Sequence, residues 1–482
     1  MTALSTRKRW LALYVLCLAD FMIVLDSTIV NVALPSIRTD LGFSESSLAW
    51  VVNAYLLTFG GFLLLAGRLG DLYGQKRVFL FGIAEFSIAS LLCGLSNSQT
   101  FLIVARAVQG LGGAVVSAIA LSLILILFTD HAERAKAMGM IGFVLSGGGA
   151  AGVLLGGVLT DFLSWHWIFL VNVPVGIAAV LFCRVLLPDD AETKRGSLDI
   201  AGAITITASL MLAVYAIVNG HEKGWTSAQT LGMLGAAAVL LGAFLLIELR
   251  AKAPLMPLGL WRVRNMASAN VTGMLLAAAM FAWFFLSALY LQRVLGYSAL
   301  QVGLAFLPGT IIWGLSSLLL SDKLVIRFGI KPPLLAGLAF YLVALLLFAR
   351  APVDASYAID ILPGAVALGI GGGITFNPIL LAAMSGVQPS EAGLASGVVN
   401  TSFMMGGALG LAILASAAAA RTASLADSGH GALAALNGGY HLAFLIGAAF
   451  AVLAGVVAAT RIRADAPAAM PGIEAVPAVE AE

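Results

Sequence analysis

The chain has 482 residues, of which 61% are hydrophobic and 10% are charged, and its net charge is +2. A soluble domain is about half apolar and about a quarter charged, so this composition excludes an ordinary soluble protein. It indicates a protein that crosses a membrane many times. Cys17, Cys93 and Cys183 lie alone in separate apolar runs, so we expect neither a disulfide nor a metal site.

Apolar runs long enough to span a bilayer recur along the whole chain. A spanning helix needs about 20 mostly apolar residues, and by that rule we predict fourteen helices. Their approximate positions are 11–35, 46–66, 78–96, 101–128, 136–160, 166–187, 199–219, 230–249, 268–291, 299–320, 334–350, 361–381, 391–418 and 438–460. The first run follows a basic segment, as in a signal peptide, but it lacks a clear cleavage site, so we expect it to be retained.

The distribution of Lys and Arg supports this count. If both termini are cytoplasmic, 20 of these residues fall in inner loops and tails, five fall in outer loops, and Arg106 lies within a helix. This distribution follows the positive-inside rule. We predict a first six-helix bundle in 1–187, an inserted helix pair in 188–264 and a second bundle in 265–462. The Ala/Pro/Glu-rich tail at 463–482 is predicted to be disordered.

The first cytoplasmic hairpin carries a recognisable motif, GRLGDLYGQKR, at positions 67–77. It resembles the signature of the major facilitator superfamily, although Leu72 stands where a basic residue is usual. The positions that keep the pattern are Gly67, Asp71, Gly74, Lys76 and Arg77.

Three further stretches resemble motifs of the fourteen-helix drug:proton antiporters of that family. They are LDSTIVNVALP at 25–35, RAVQGLGGA at 106–114 and GGAAGVLLGG at 148–157. The third has Gly152-Val153 where the family has Gly-Pro, and Phe403 stands where relatives often carry Arg. The resemblance implies an all-α polytopic membrane protein with two pseudo-symmetric six-helix bundles and two inserted helices.

The same resemblance implies a function. It predicts a multi-pass protein of the cell membrane that exports amphipathic, often cationic drugs, dyes or antibiotics by alternating access. The proton gradient would drive export, so no cofactor is expected. We expect a monomer whose partners are protons, a small-molecule substrate and the lipid bilayer, with no nucleic acid. An exporter dedicated to one metabolite and a non-transporting sensor or scaffold remain alternatives, and no catalytic spacing indicates an enzyme.

Four charged residues lie within predicted spans: Asp20, Asp26, Glu85 and Arg106. A charge at the bilayer centre costs about 3 kcal/mol, so such residues face a bundle interior or a wet cavity. Asp26 and Arg106 lie about 13 and 9 Å from the outer ends of their helices, and the resemblance places both helices at the central cavity. We predict that this pair couples transport to protons; the alternative is a permanent ion pair that joins helices.

The other polar residues of the first half have separate expectations. Asp20 is predicted to bind substrate or protons in the cavity, and Glu85 to lie peripherally, near the cytoplasmic interface. Asn31 is expected to bond a neighbouring helix.

Two groups complete the candidate site. Small residues at positions four apart allow a second helix to approach closely, and this contact is expected to open and close during transport. They are Gly148, Gly152 and Gly156, with Gly157 beside them. The predicted cavity and substrate residues are Asn31, Gln109, Phe281, Trp283, Phe284, Tyr290, Thr375 and Asn377. For each aromatic ring the alternative is contact with lipid.

Overall fold

The computed structural model describes residues 5–44, 46–128, 130–188, 190, 198–251, 254–388 and 391–463. Helices account for all regular structure in these residues. The long helices are α1 Thr6–Leu41, α2 Trp50–Tyr73, α3 Gln75–Gly94, α4 Gln99–Leu127, α5 His131–Phe162, α6 Trp167–Leu186, α7 Ile200–Lys223, α8 Ala228–Arg250, α9 Met266–Arg293, α10 Ala299–Phe328, α11 Lys331–Phe348, α12 Tyr357–Met384, α13 Ala392–Asp427 and α14 Ala432–Arg461.

These helices confirm the predicted all-α polytopic fold. Within the described residues, 13 helices are long and apolar enough to cross a membrane. The remaining one, α5, has 32 residues, and its described apolar part is Gly147–Phe162. Each predicted span corresponds to one of the fourteen helices.

Two helices extend well past their predicted ends. Helix α1 continues through Pro35 to Leu41, and the next residue, Gly42, has a φ of 71° and donates its N–H to the carbonyl of Arg38. Helix α13 continues from 418 to Asp427 through an alanine-rich stretch. Alanine has the highest helix propensity, so the polar residues there end the apolar run without ending the helix.

The two halves repeat one packing scheme. In the first half α1 packs on α5 and α6, α2 on α4, and α3 on α4 and α6. In the second half α9 packs on α13 and α14, α10 on α12, and α11 on α12 and α14. Helices α9 to α14 therefore correspond in order to α1 to α6. This correspondence agrees with the pseudo-symmetry implied by the family resemblance.

Contacts between the halves include backbone-close packing at the outer ends of α5 and α10. An added Cβ at Gly157 would lie 2.7 Å from the Ala299 carbonyl oxygen, and one at Gly303 would lie 2.6 Å from the Val153 carbonyl oxygen. Nearby, the Nε2 of Gln292 on α9 donates to the carbonyl of Val32 on α1 over 2.7 Å. The outer ends of the two halves are therefore in direct contact.

The inserted pair is asymmetric. Helix α7 packs against both α2 and α13, so it covers the seam where those two helices join the halves. Its Thr207 side chain contacts Gly61, and its Ile217 carbonyl accepts a 3.0 Å hydrogen bond from Ser416. Helix α8 packs mainly on α7 and is otherwise exposed. The predicted domain limits remain a prediction, and the tail from 464 lies outside the described residues.

Candidate functional site

A buried ion pair joins α1 to α4. The Nη1 of Arg106 lies 2.6 Å from the Oδ2 of Asp26, and the two side chains are 1% and 0% exposed. Their similar depths, together with the family resemblance that places both helices at the central cavity, had indicated this proximity. Burying two charges costs free energy that the pair recovers only if its remaining polar atoms are also satisfied.

The remaining atoms of Asp26 are satisfied by two amides. Its Oδ1 accepts hydrogen bonds from the Nε2 of Gln109 at 2.8 Å and from the Nδ2 of Asn172 at 3.0 Å. Arg106 also donates to the Oε1 of Gln109 at 2.6 Å and, through Nε, to the carbonyl of Val51 at 3.0 Å. We call Asp26, Arg106, Gln109 and Asn172 the buried network; its contacts connect α1, α2, α4 and α6.

Aromatic rings enclose the guanidinium of this network. The Cζ of Arg106 lies 4.4 Å from the ring centroid of Tyr55 and 5.6 Å from that of Phe169. A cation over an aromatic face is attracted by the ring quadrupole, most strongly where water is excluded. The network is therefore well matched to a charged Arg106 in the present arrangement of helices.

Asp20, six residues before Asp26 on α1, has a different environment. It is partly exposed, and its Oδ1 accepts one hydrogen bond, of 3.2 Å, from Ser117 on α4. A carboxyl group with one neutral donor can change its protonation state without breaking a network. The two carboxylates of α1 therefore differ in how readily they can exchange a proton or meet a substrate.

Glu85 is partly exposed, but its carboxyl group does not lie at the periphery as expected. Both of its carboxyl oxygens are buried and have no hydrogen-bond partner among the described residues. The carboxyl contacts Gly112 on α4, where the absence of a side chain leaves a recess. Glu85 lies ten residues, about 15 Å, past the start of α3, and its carboxyl is directed at α4 and not at the cytoplasmic surface.

Helix α4 is the element that relates these groups. From its outer to its inner end it contributes Arg106 and Gln109 to the buried network, Gly112 to the Glu85 recess and Ser117 to Asp20. Eleven residues separate Arg106 from Ser117, which corresponds to about 16 Å along the helix. Three carboxyl groups from two helices thus lie along one helix in the first half.

Several predicted cavity residues lie inside helix packing. Trp283 is 2% exposed, and its ring centroid lies 4.9 to 5.4 Å from those of Phe284, Phe306 and Phe348. Tyr290 is also buried and donates a 2.6 Å hydrogen bond to the carbonyl of Pro352. These positions differ from the expected exposure to a cavity, because this face of α9 packs onto α10, α11 and the loop after α11.

Phe281 lies on another face of α9, in an aromatic cluster. Its centroid is 6.1 Å from that of Phe403 on α13, which in turn is 5.6 Å from Phe376 on α12. Both pairs are edge-to-face, a favourable arrangement of ring quadrupoles. Phe281 and Phe376 are partly exposed, so the cluster around Phe403 presents an apolar, aromatic surface.

The amides and hydroxyls predicted for the cavity mostly bond locally. Asn31 donates to the carbonyls of Ser27 and Thr28 on its own helix, and not to a neighbouring helix as expected. Thr375 is buried and donates to the carbonyl of Gly371 one turn earlier. Asn377 differs, because its Nδ2 donates to Asp322 on α10 over 2.6 Å.

The hairpin motif anchors the loop that follows α6. Gly74 has a φ of 98°, and the first backbone N–H groups of α3, those of Lys76 and Arg77, donate to Asp190 at 2.7 and 3.3 Å. The Nζ of Lys76 donates to the carbonyl of Leu187 at 2.9 Å. Asp71 bonds Gln75 within the hairpin, and nothing lies within 4 Å of a Cβ built at Gly67.

The glycines of α5 have two different neighbours. Gly148, Gly152 and Gly156 lie against α1, where an added Cβ at Gly152 would be 2.9 Å from the Leu25 carbonyl oxygen. Only Gly157 of this group packs against α10 in the other half. The three glycines at positions four apart therefore pack within the first half, whereas Gly157 and the backbone at Val153 contact the other half.

Comparisons with known proteins agree with this architecture. The family profile described as Major Facilitator Superfamily matches residues 16–411. The chain is 38% identical over 461 residues to a puromycin resistance protein of Streptomyces alboniger, covering 95% of this chain and 91% of the relative. It is 41% identical over 407 residues to the cephamycin export protein CmcT of Amycolatopsis lactamdurans, covering 84% of each.

Solved structures show the same fold at low sequence identity. An auto-inhibited peptide transporter of the POT family superposes with a TM-score of 0.66 at 17% identity, covering 95% of this chain and 98% of the other. A bacterial homologue of the lysosomal transporter Spinster gives 0.66 at 17% identity, covering 94% and 97%.

Proposed function

We propose that this chain, which belongs to the Major Facilitator Superfamily, exports amphipathic and often cationic drug-like compounds across the cell membrane in exchange for protons. The family and the fold make it a multi-pass membrane transporter and not an enzyme. Relatives named for resistance to puromycin and for export of cephamycin support antibiotic-like substrates. Carboxyl groups within an otherwise apolar bundle suit a cationic substrate that competes with protons.

The contrast between Asp20 and Asp26 carries the proposal. Asp20 is partly exposed and has one hydrogen bond, from Ser117, so it is the group that alternately binds a proton or the substrate. Asp26 is held by Arg106, Gln109 and Asn172, so its proton exchange requires the helices that contribute them to separate. Asp26 and Arg106 thus link the arrangement of these helices to the integrity of the buried pair, because separating the two charges leaves each unpaired in an apolar wall.

The test is ethidium transport in inverted membrane vesicles under an imposed pH gradient. Asp20→Asn should abolish gradient-driven uptake while leaving folded protein in the membrane. Asp26→Asn should slow transport and also destabilise the protein, since it removes one charge of a buried pair. Asp427→Asn, at the exposed outer end of α13, is the matched control and should transport normally. Undiminished gradient-driven uptake by Asp20→Asn would refute the assignment of exchange to Asp20.

A second candidate, export of a single antibiotic, is favoured by relatives that are named for one compound each. Proton release from the purified protein distinguishes the two. A polyspecific exporter should release protons on addition of many chemically different ligands, and a dedicated one on addition of a single class. A sensor or scaffold would show neither release nor counterflow.

A further inference from the structure

We infer that Glu85 is a second proton-binding residue of the transport pathway, placed beside α4 between the buried network and Asp20. This inference rests on the proposed proton exchange and adds a site to it. Asp20 and Asp26 both lie on α1, whereas Glu85 is contributed by α3.

The recess at Gly112 holds the neutral acid better than the anion. Both Glu85 oxygens are buried without a donor among the described residues, and the carboxyl contacts the surface of α4 at Gly112. An ionised carboxylate without donors is strongly disfavoured in an apolar medium, whereas a protonated carboxyl is neutral. In the present helix arrangement this position therefore binds a proton.

A second buried polar group without a hydrogen-bond partner among the described residues lies beside Gly113, the residue that follows Gly112 on α4. The hydroxyl of Tyr55 on α2 is buried with no hydrogen-bond partner among the described residues. A Cβ built at Gly113 would lie 2.9 Å from that hydroxyl. Gly112 and Gly113 thus leave space on α4 for a carboxyl from α3 and a phenol from α2. The ring of Tyr55 also covers the guanidinium of Arg106, which connects this place to the buried network.

The titratable groups near Glu85 define how its proton can move. The Tyr55 hydroxyl on α2 lies at Gly113, the residue after Gly112, and Arg106 lies less than two turns outward on α4. On deprotonation the O–H bond of Glu85 breaks, and its proton passes to water that reaches the recess when α3 moves against α4. The resulting Glu85 anion has no donor in its recess, so it is drawn toward the Tyr55 hydroxyl and Arg106. Release of the proton is thereby linked to movement of α3 against α4.

The first experiment detects the neutral carboxyl directly, without transport. Dicyclohexylcarbodiimide takes the proton of a buried carboxylic acid, and the carboxylate oxygen adds to its central carbon; rearrangement leaves a stable N-acylurea. Mass spectrometry of the intact protein at neutral pH, followed by peptide mapping, should find the adduct on Glu85. Glu133, which forms a 2.9 Å ion pair with Arg9, should remain unmodified. Absence of the adduct from Glu85 would overturn the inference and leave the proposed function standing.

The second experiment counts protons. On substrate addition, purified Glu85→Gln should release about half as many protons per bound ligand as the wild type, since one of two exchanging groups is lost. Glu248→Gln on α8 is the matched control, because Glu248 accepts the backbone N–H of Met256 far from α4. Wild-type proton release by Glu85→Gln would also overturn the inference, even with a labelled Glu85. If that variant does not fold, Tyr55→Phe replaces it and should alter the pH dependence of release.

Discussion

The carboxylate of Asp161, at the outer end of α5, accepts a 2.9 Å hydrogen bond from the backbone N–H of Leu300, in the first turn of α10. It accepts a second, of 3.1 Å, from Ala299. A negative charge at a helix N-terminus is favourable because the first N–H groups lack partners within the helix. Since α5 and α10 belong to different halves, this contact stabilises the arrangement in which the outer ends touch.

Asp161→Asn should therefore shift the protein toward states that are open on the outside. The lost charge is worth about 0.3–1 kcal/mol, or roughly a two- to fivefold change in the ratio of states. The measurement is the labelling rate of a cysteine placed at Leu300 in a background without native cysteines. The control is Asp360→Asn, which accepts the N–H of Ser356 within one half and should leave the labelling rate unchanged.

Replacing Arg106 by Lys should impair function although it keeps the charge. The lysine cannot reproduce the Nε hydrogen bond to Val51 together with the contacts to Asp26 and Gln109. It also loses a planar group over the Tyr55 ring. We expect a loss of stability of about 1–3 kcal/mol and slow ethidium transport. Thermal unfolding in detergent and vesicle transport test this, and Arg421→Lys at the exposed end of α13 should behave as wild type.

The glycines of α5 allow packing within a half to be separated from packing between halves. Gly152→Ala should lower the unfolding temperature, because the methyl group would meet the Leu25 carbonyl and the Thr28 side chain on α1. Gly157→Ala should instead raise the labelling rate of the cysteine placed at Leu300, since the added methyl group would meet the backbone of Ala299 and Leu300. Gly149→Ala has nothing within 4 Å and should change neither quantity. Equal effects of all three substitutions would contradict the assignment of these faces.

The start of α3 depends on Asp190 as its capping group. Asp190→Ala should destabilise the hairpin by about 1 kcal/mol, the usual cost of losing a helix N-cap. The expected readout is faster proteolysis of the loop after α6 with little change in transport, because the contacts of Asp190 lie within the first half. Asp71→Ala removes a bond to Gln75 within the hairpin and should have a smaller effect on cleavage.

The positions of the helices could be predicted because bilayer thickness sets the length of each apolar run. The meeting of Asp26 and Arg106 could be predicted because residue number gives depth along a helix and the family resemblance places both helices at one cavity. The rotation of a helix about its axis could not, since runs such as α9 and α3 are apolar on every side. For that reason the sequence misplaced Trp283, Tyr290 and Glu85. It also gave no signal for Asn172 or Asp190, whose partners lie far away in the chain.

The position of α7 has a consequence for how a hydrophobic substrate can enter from the bilayer. Thr207 and Ile217 fix α7 to α2 and α13 at once, so a compound dissolved in the lipid meets a closed wall at that seam. No comparable contact joins the inserted pair to α5 or α10 among the described residues. Because the outer ends of α5 and α10 pack directly against each other, a lateral opening for membrane-dissolved compounds is expected only toward the cytoplasmic ends of these two helices. Photoreactive amphiphiles should accordingly label these two helices in preference to α2 and α13.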